Sequence, residues 1–289
     1  MNVKLLKRIC EVPTQTYHED AMVKFLMDFV SSNESRYGRC WTDQYKNVFI
    51  VKGTGQYLPC VAAHIDTVQS LAAVTVREEN GRIIAVGAEG QRVGFGADDK
   101  SGVFICLELL EQFDNIAVAF FAAEEVGCVG ARNADKRFFE QVGYVVEFDC
   151  PSWGLMSYTV SGEQLFANHG EFIRTAFPVL QNHGITQWQR HPYTDVMAVR
   201  QRFPISCLNL ASGYYNWHQV SEYIKLSDTA AMLVAAADII DVFGPHAYPF
   251  NKRHGWATGQ TLLEVTQLNV PKDNELCEEP LSHEHGGGI

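Results

Sequence analysis

The chain has 289 residues, 34 of them acidic against 23 basic, for a formal net charge of −11 at neutral pH. That balance argues against nucleic acid or an anionic membrane as the main partner, because both reward clustered positive charge. Hydrophobic residues make up 46%, enough for a real core, yet no apolar run approaches the roughly 18 residues that span a bilayer.

The opening stretch MNVKLLKRICEVPTQ carries too short an apolar segment for a secretory leader, so a cytoplasmic location is expected. Residues 3–33 read as helix in two pieces broken near Pro13. Met22, Phe25, Leu26, Phe29 and Val30 recur at the spacing of an amphipathic helix. Short apolar runs of strand type follow at 48–51, 60–63, 83–86, 116–122 and 145–148. Helical patterns at 101–113 and 129–142 fall between them. A further helix is expected from Gly170 to just before Pro178, and others at 195–202 and 227–243. This alternation implies an α/β fold, a three-layer α/β/α sandwich around a mostly parallel sheet. One domain is expected over 1–245, then a C-terminal extension over 246–289 whose HEHGGGI end is frayed. The eight cysteines are scattered without a CxxC pair and read as reduced thiols.

Five segments place acids or histidines where an apolar strand ends or a loop begins. In VAAHIDTV, His64 and Asp66 are two apart on an extended chain and point the same way, which suits a metal-binding imidazole buttressed by a carboxylate. GFGADDKSGV puts Asp98 and Asp99 at a helix start among glycines. Those acids also make ordinary helix caps. AFFAAEEVG carries Glu124 and Glu125 directly after a buried strand, and neighbouring side chains there diverge, so the two acids have different tasks. Asp149 ends the run VVEFDCP, where a turn-forming role is the plain alternative. His218 lies in the polar, aromatic loop ASGYYNWHQVSEYI. Each segment alone has a structural explanation.

In order, HxD, GADDKSG, AAEEVG, a strand-end Asp and a loop His, the set resembles the co-catalytic zinc exopeptidases: aminopeptidases, tripeptidases and carboxypeptidases on one α/β/α domain. The stretch from Thr194 through His218 to Glu222 looks most like the end of the bacterial tripeptidase type. The resemblance implies two divalent ions, zinc or else manganese or cobalt, held by His64, Asp98, Glu125, Asp149 and His218. It makes Asp98 the bridge, Asp66 the catalytic-site buttress and Glu124 the general base acting on a metal-bridging hydroxide. It also implies a cis peptide between Asp98 and Asp99.

The intervals from Asp66 to Asp98 and from Asp149 to His218 leave no room for the inserted domains of the larger relatives. A lidless catalytic domain is expected, as a monomer or small homo-oligomer; Tyr214, Tyr215, Asn216 and His191 are candidate local stand-ins for the lid's groups, with packing or surface roles the plainer reading of each. The implied activity is hydrolysis of a short peptide or other amide, as an aminopeptidase or small-peptide exopeptidase. A deacylase on the same scaffold and a non-catalytic metal-binding module are the alternatives. His283 and His285 form HEH and not HExxH, and read as part of a flexible tail with incidental metal affinity.

Overall fold

A computed structural model describes residues 1–250 except 161, 162, 169 and 192. The expected extension beyond Phe250, with His283 and His285, lies outside the described residues. The chain starts with α1 (Val3–Cys10), capped by the Asn2 side chain, and α2 (Asp20–Ser31), which buries Met22, Leu26 and Val30. The expected break near Pro13 is the whole segment 11–19. The single turn α3 (Glu34–Tyr37) leads into β1 (Arg39–Thr42), β2 (Val48–Lys52) and β3 (Leu58–His64). Next come β4 (Thr75–Glu79), β5 (Arg82–Val86), β6 (Arg92–Val93), α4 (Ala97–Gln112) and β7 (Ile116–Phe121). They are followed by α5 (Val129–Asn133), α6 (Lys136–Phe139), β8 (Val142–Cys150), β9 (Leu155–Val160) and β10 (Glu163–Gln164). The rest comprises α7 (Glu171–Asn182), β11 (Gln187–His191), α8 (Asp195–Arg202), β12 (Cys207–Ala211), β13 (Tyr214–Tyr215), β14 (Tyr223–Lys225) and α9 (Leu226–Phe243).

The main sheet runs β1-β2-β7-β3-β8-β12-β9-β10, with β11 beside β9. Its centre, β7-β3-β8-β12, is parallel, and antiparallel pairs flank it. Strands β3, β7 and β8 are buried along their full length. Burial on both faces is why they read as unbroken apolar runs instead of alternating ones. Helix α4 packs over β3, β7 and β8 and meets α1 and α9, while α8 packs on β8 and β12 beside α5. The result is a three-layer α/β/α fold. No helix among the described residues is long and apolar enough to cross a membrane.

Three expectations change. The run at 83–86 is a strand, but it belongs to a second, antiparallel sheet, β13-β14-β5-β4, with β6 on β5. The helix expected over 129–142 is two short ones, because Ala134 turns extended and the Asp135 side chain caps a new start at the Arg137 amide. Helix α7 runs through Pro178 to Asn182. Phe172, Ile173, Ala176 and Leu180 are buried on both sides of the proline, and their packing holds a helix that has lost one backbone hydrogen bond. Past Phe243 the chain folds back. Tyr248 packs its ring against Tyr144, Phe172 and Phe243, and its carbonyl accepts the Ser206 amide at 2.9 Å.

Candidate metal centre

Three neighbouring parallel strands deliver the first residues. His64 is the last residue of β3, Asp149 is next to last in β8, and Glu124 and Glu125 follow β7. The carboxyl edge of such a sheet is where ligands bind. Directly after β7, Ala123 takes a left-handed backbone (φ 54°) and the chain turns back so that the Cys128 and Gly130 amides reach the Glu124 and Ala122 carbonyls. Asp98 and Asp99 enter from the other side, at the head of α4, in non-helical conformations joined by a cis peptide. His218 comes last, from the loop between β13 and β14, also left-handed (φ 61°).

These residues converge. The two carboxylate oxygens of Asp98 face two different histidines: Oδ1 is 3.0 Å from His64 Nε2, and Oδ2 is 3.5 Å from His218 Nε2. Asp149 Oδ1 lies 3.5 Å from His64 Nε2, and Glu125 Oε1 lies 3.0 Å from His218 Nε2. Each imidazole nitrogen therefore has one private carboxylate and one shared one. His64 is also close enough to Asp99 and Asp149 for one ligand atom from each to fall within 4.8 Å of the others. Asp98 alone of the pair faces both histidines, whereas Asp99 Oδ1 is occupied by the Gly102 amide at 3.0 Å.

Asp66 works through the backbone. Its carboxylate accepts the Glu124 amide at 2.9 Å, the Glu125 amide at 3.3 Å and the Thr16 hydroxyl at 2.9 Å. His64 Nδ1 lies 3.1 Å from the Asp66 carbonyl oxygen, nearer than the Asp66 carboxylate at 3.5 Å. That carbonyl can only accept, so Nδ1 carries the proton in the neutral imidazole and Nε2 is the nitrogen left for a cation in the cage.

Sequence reasoning missed a layer of polar residues behind the cage. The Thr194 hydroxyl donates to Glu147 and lies 3.2 Å from Asp149 Oδ2. Asn209 holds the Asp149 backbone from both sides, accepting its amide at 2.9 Å and donating to its carbonyl at 3.2 Å. The Cys128 thiol is 3.6 Å from Glu124 Oε1. The half-buried Tyr193 donates its hydroxyl to the Glu125 carbonyl at 3.3 Å. Among the expected stand-ins, Tyr214 reaches the cage, its hydroxyl 3.5 Å from Asp149 Oδ1. Tyr215 instead bonds Asp228, and Asn216 bonds Ser221. His191 is the last residue of β11, and its side chain lies outside the described residues.

The electrostatics call for cations. Burial pulls both imidazoles down, but neighbouring carboxylates outweigh it. Asp149, Asp66 and Asp98 hold His64 well above its ordinary range, and Asp98 and Glu125 lift His218 to about 10. Burial raises Glu124 and Asp195, and with Asp149 beside it Glu147 is pushed up to about 8. Asp98 is held low: burial would raise it, but His218 and His64 prevail. Asp99 Oδ2, Glu147 Oε1 and both Asp195 oxygens are buried without a hydrogen-bond partner. Buried carboxylates in such number are tolerable when paired or coordinating metal. Mixed imidazole and carboxylate donors suit zinc, and also manganese or cobalt. The residues present thus fit a pair of divalent ions.

Comparison with known proteins decides the lineage. Residues 49–242 match the model of peptidase family M28. The chain belongs to peptidase family M28. No curated protein matches it. Its fold is shared with the aminopeptidase PepT of Bacillus cereus ATCC 10987, at 14% identity and TM-score 0.68, over 83% of this chain and 97% of that one. A tripeptidase of Staphylococcus aureus subsp. aureus Mu50 matches at 12% identity and TM-score 0.68 over the same shares. The TET1 peptidase of Pyrococcus horikoshii, which assembles into a tetrahedron or a large octahedral shell, matches at 14% and 0.60, over 83% and 98%. The M28 chain is thus a peptidase with a metal-site constellation at the carboxyl edge of its sheet.

Proposed function

We propose that this M28 chain is a two-metal aminopeptidase acting on short peptides. The observation that carries the proposal is the split environment of Asp98, one oxygen toward His64 and the other toward His218, each histidine with its own second acid. His64, Asp98 and Asp149 would hold one ion; His218, Asp98 and Glu125 would hold the other. Such a pair supplies Lewis acidity to the scissile carbonyl and acidifies a water nucleophile.

The chain's own residues do the rest. Glu124 is buried beside the cage, and its raised proton affinity suits a group that takes a proton from the attacking water and returns it to the leaving amine. Its Oε1 faces the Cys128 thiol, which leaves Oε2 to carry that proton. Asp66 fixes the backbone of both glutamates. The Tyr193 hydroxyl donates its one proton to the Glu125 carbonyl and so helps hold the Glu125 backbone beside the cage.

The amino end of a substrate is favoured over the carboxyl end on charge. Among the described residues no lysine or arginine pairs with Asp98, Glu124 or Glu125, so no fixed side-chain cation beside them awaits a terminal carboxylate. Val126 and Trp217, each one residue from a ligand, are exposed and offer apolar surface to substrate side chains.

The test is metal analysis combined with hydrolysis of dipeptides, tripeptides and their N-acylated forms, with and without chelator. Two ions per chain and chelator-sensitive cleavage of free-amine substrates are expected. Preference for the N-acylated forms would move the assignment to a deacylase, and metal binding without turnover would move it to a binding module.

A further inference from the structure

The two histidines are held very differently. His64 closes a buried central strand and its side chain is 1% exposed, whereas His218 sits on a loop with its side chain 41% exposed. The backbone there is left-handed at both Asn216 (φ 53°) and His218 (φ 61°), an arrangement that non-glycine residues keep only when their surroundings impose it.

Glu222 ties this loop to the turn that precedes Asp98. It follows His218 on the same loop and is fully buried. Its Oε1 accepts two successive backbone amides, Phe95 and Gly96, the latter at 2.6 Å. These residues lead directly into Asp98. The Arg92 guanidinium adds a second tie, donating to the carbonyls of Ser221 at 3.3 Å and Glu222 at 2.8 Å. From the far side, buried Lys100 donates to the Phe95 carbonyl at 2.6 Å and to those of Cys10 and Val12. The Phe95–Gly96 turn is therefore gripped by an anion on one side and a cation on the other. Glu222 Oε2 has no hydrogen-bond partner. Packing alone would be better served by an apolar side chain of the same volume.

We propose that Glu222 is a positioning residue that locks the His218 loop to the Asp98 turn and so sets the affinity of the His218-side ion, without touching substrate. The proposal rests on the two-metal assignment above. It makes the two ion positions unequal in origin: the His64 side is built on strand ends, and the His218 side depends on one buried carboxylate.

The test titrates the metal-free full chain with zinc against a chromogenic chelator. Wild type takes up two ions. Glu222→Ala retains one at wild-type affinity and binds the second about 10–100-fold more weakly, the size expected when a partner behind a ligand is removed. Glu222→Gln restores the second ion, because its amide oxygen still accepts both N–H groups; burial pushes the native carboxyl up to about 7, so the neutral side chain is tolerated there. Glu222→Asp, one methylene shorter, reaches both amides poorly and weakens the same ion if the alanine variant does not fold. Two wild-type affinities in the Ala or Asp variant overturn the proposal, and so does equal weakening of both ions. A wild-type chain that binds fewer than two ions overturns the two-metal assignment itself.

Discussion

Glu124 and Glu125 are adjacent, yet their carboxylates serve different neighbours: Glu125 Oε1 meets His218, and Glu124 Oε1 meets the Cys128 thiol. The left-handed Ala123 turns the chain just before them, and Asp66 pins both amides. If Glu124 moves protons and Glu125 holds an ion, Glu124→Gln keeps both metals and loses about 10²–10⁴-fold in kcat. Unchanged turnover in that variant, with metal content verified, would remove Glu124 from the chemistry. Thr194 has a different task, since its hydroxyl lies between Glu147 and Asp149. Thr194→Val preserves shape but removes the proton that Glu147 accepts and the hydroxyl beside Asp149, and zinc affinity on the His64 side is expected to fall about 10–100-fold. Thr194→Ser should restore it. The divergence of the two glutamates was legible in the sequence because adjacent side chains on an extended segment must part. Thr194, Asn209 and Tyr193 were not, because a hydroxyl or amide has no periodic signature and acquires its role only when β8, β12 and the head of α8 meet.

Placement of the candidate ligands is an achievement of strands and turns. β3, β7 and β8 were legible as apolar runs because both faces are buried, and their order along the chain put His64, Glu125 and Asp149 at one edge. The run at 83–86 looks the same in sequence, and nothing local tells that it pairs with β4 and β14 in another sheet. The glycines around Asp98 did announce a constraint, and the contacts explain it. A Cβ on Gly96 would lie 2.2 Å from Thr67 Cγ2, in a backbone that is already left-handed. A Cβ on Gly102 would lie 2.4 Å from Asp99 Oδ2 and 2.6 Å from the Phe148 carbonyl oxygen. Helix α4 can thus approach β8 closely only with glycine at 102. Gly102→Ala is expected to destabilise the fold by about 1–3 kcal/mol, the usual range for overpacking. A shift of Tm by roughly 2–4 °C per kcal/mol would report it in a chain of this size. A wild-type Tm would mean that α4 slides without penalty.

At the scale of the molecule, the net charge of −11 is concentrated in its effects where carboxylates are buried together. Without ions the cage must hold protons instead. His64, His218, Glu124, Glu147 and Asp195 all have their proton affinity raised by folding, His218 to about 10 and Glu147 to about 8. For every group of this kind the folded chain binds more protons than the unfolded one, so its contribution is complete below the unfolded pKa and is lost as pH rises through the folded value. For Glu147 that window runs from its ordinary 4.5 to about 8, and for His218 from 6.5 to about 10. Asp98 and Asp66 have the opposite sign, being held low in the fold, and their contribution is lost only in strong acid. The metal-free chain should therefore lose stability between about pH 6 and about pH 8. Divalent ions reverse the trend, because they need the deprotonated ligands and displace those protons on binding. At about 100 times the dissociation constant each ion adds roughly 2.7 kcal/mol. The rise in Tm on adding zinc to chelated protein is thus expected to be larger at about pH 8 than at about pH 6, with protons released on binding. An equal rise at both, without proton release, would mean that the buried acids do not carry the ions.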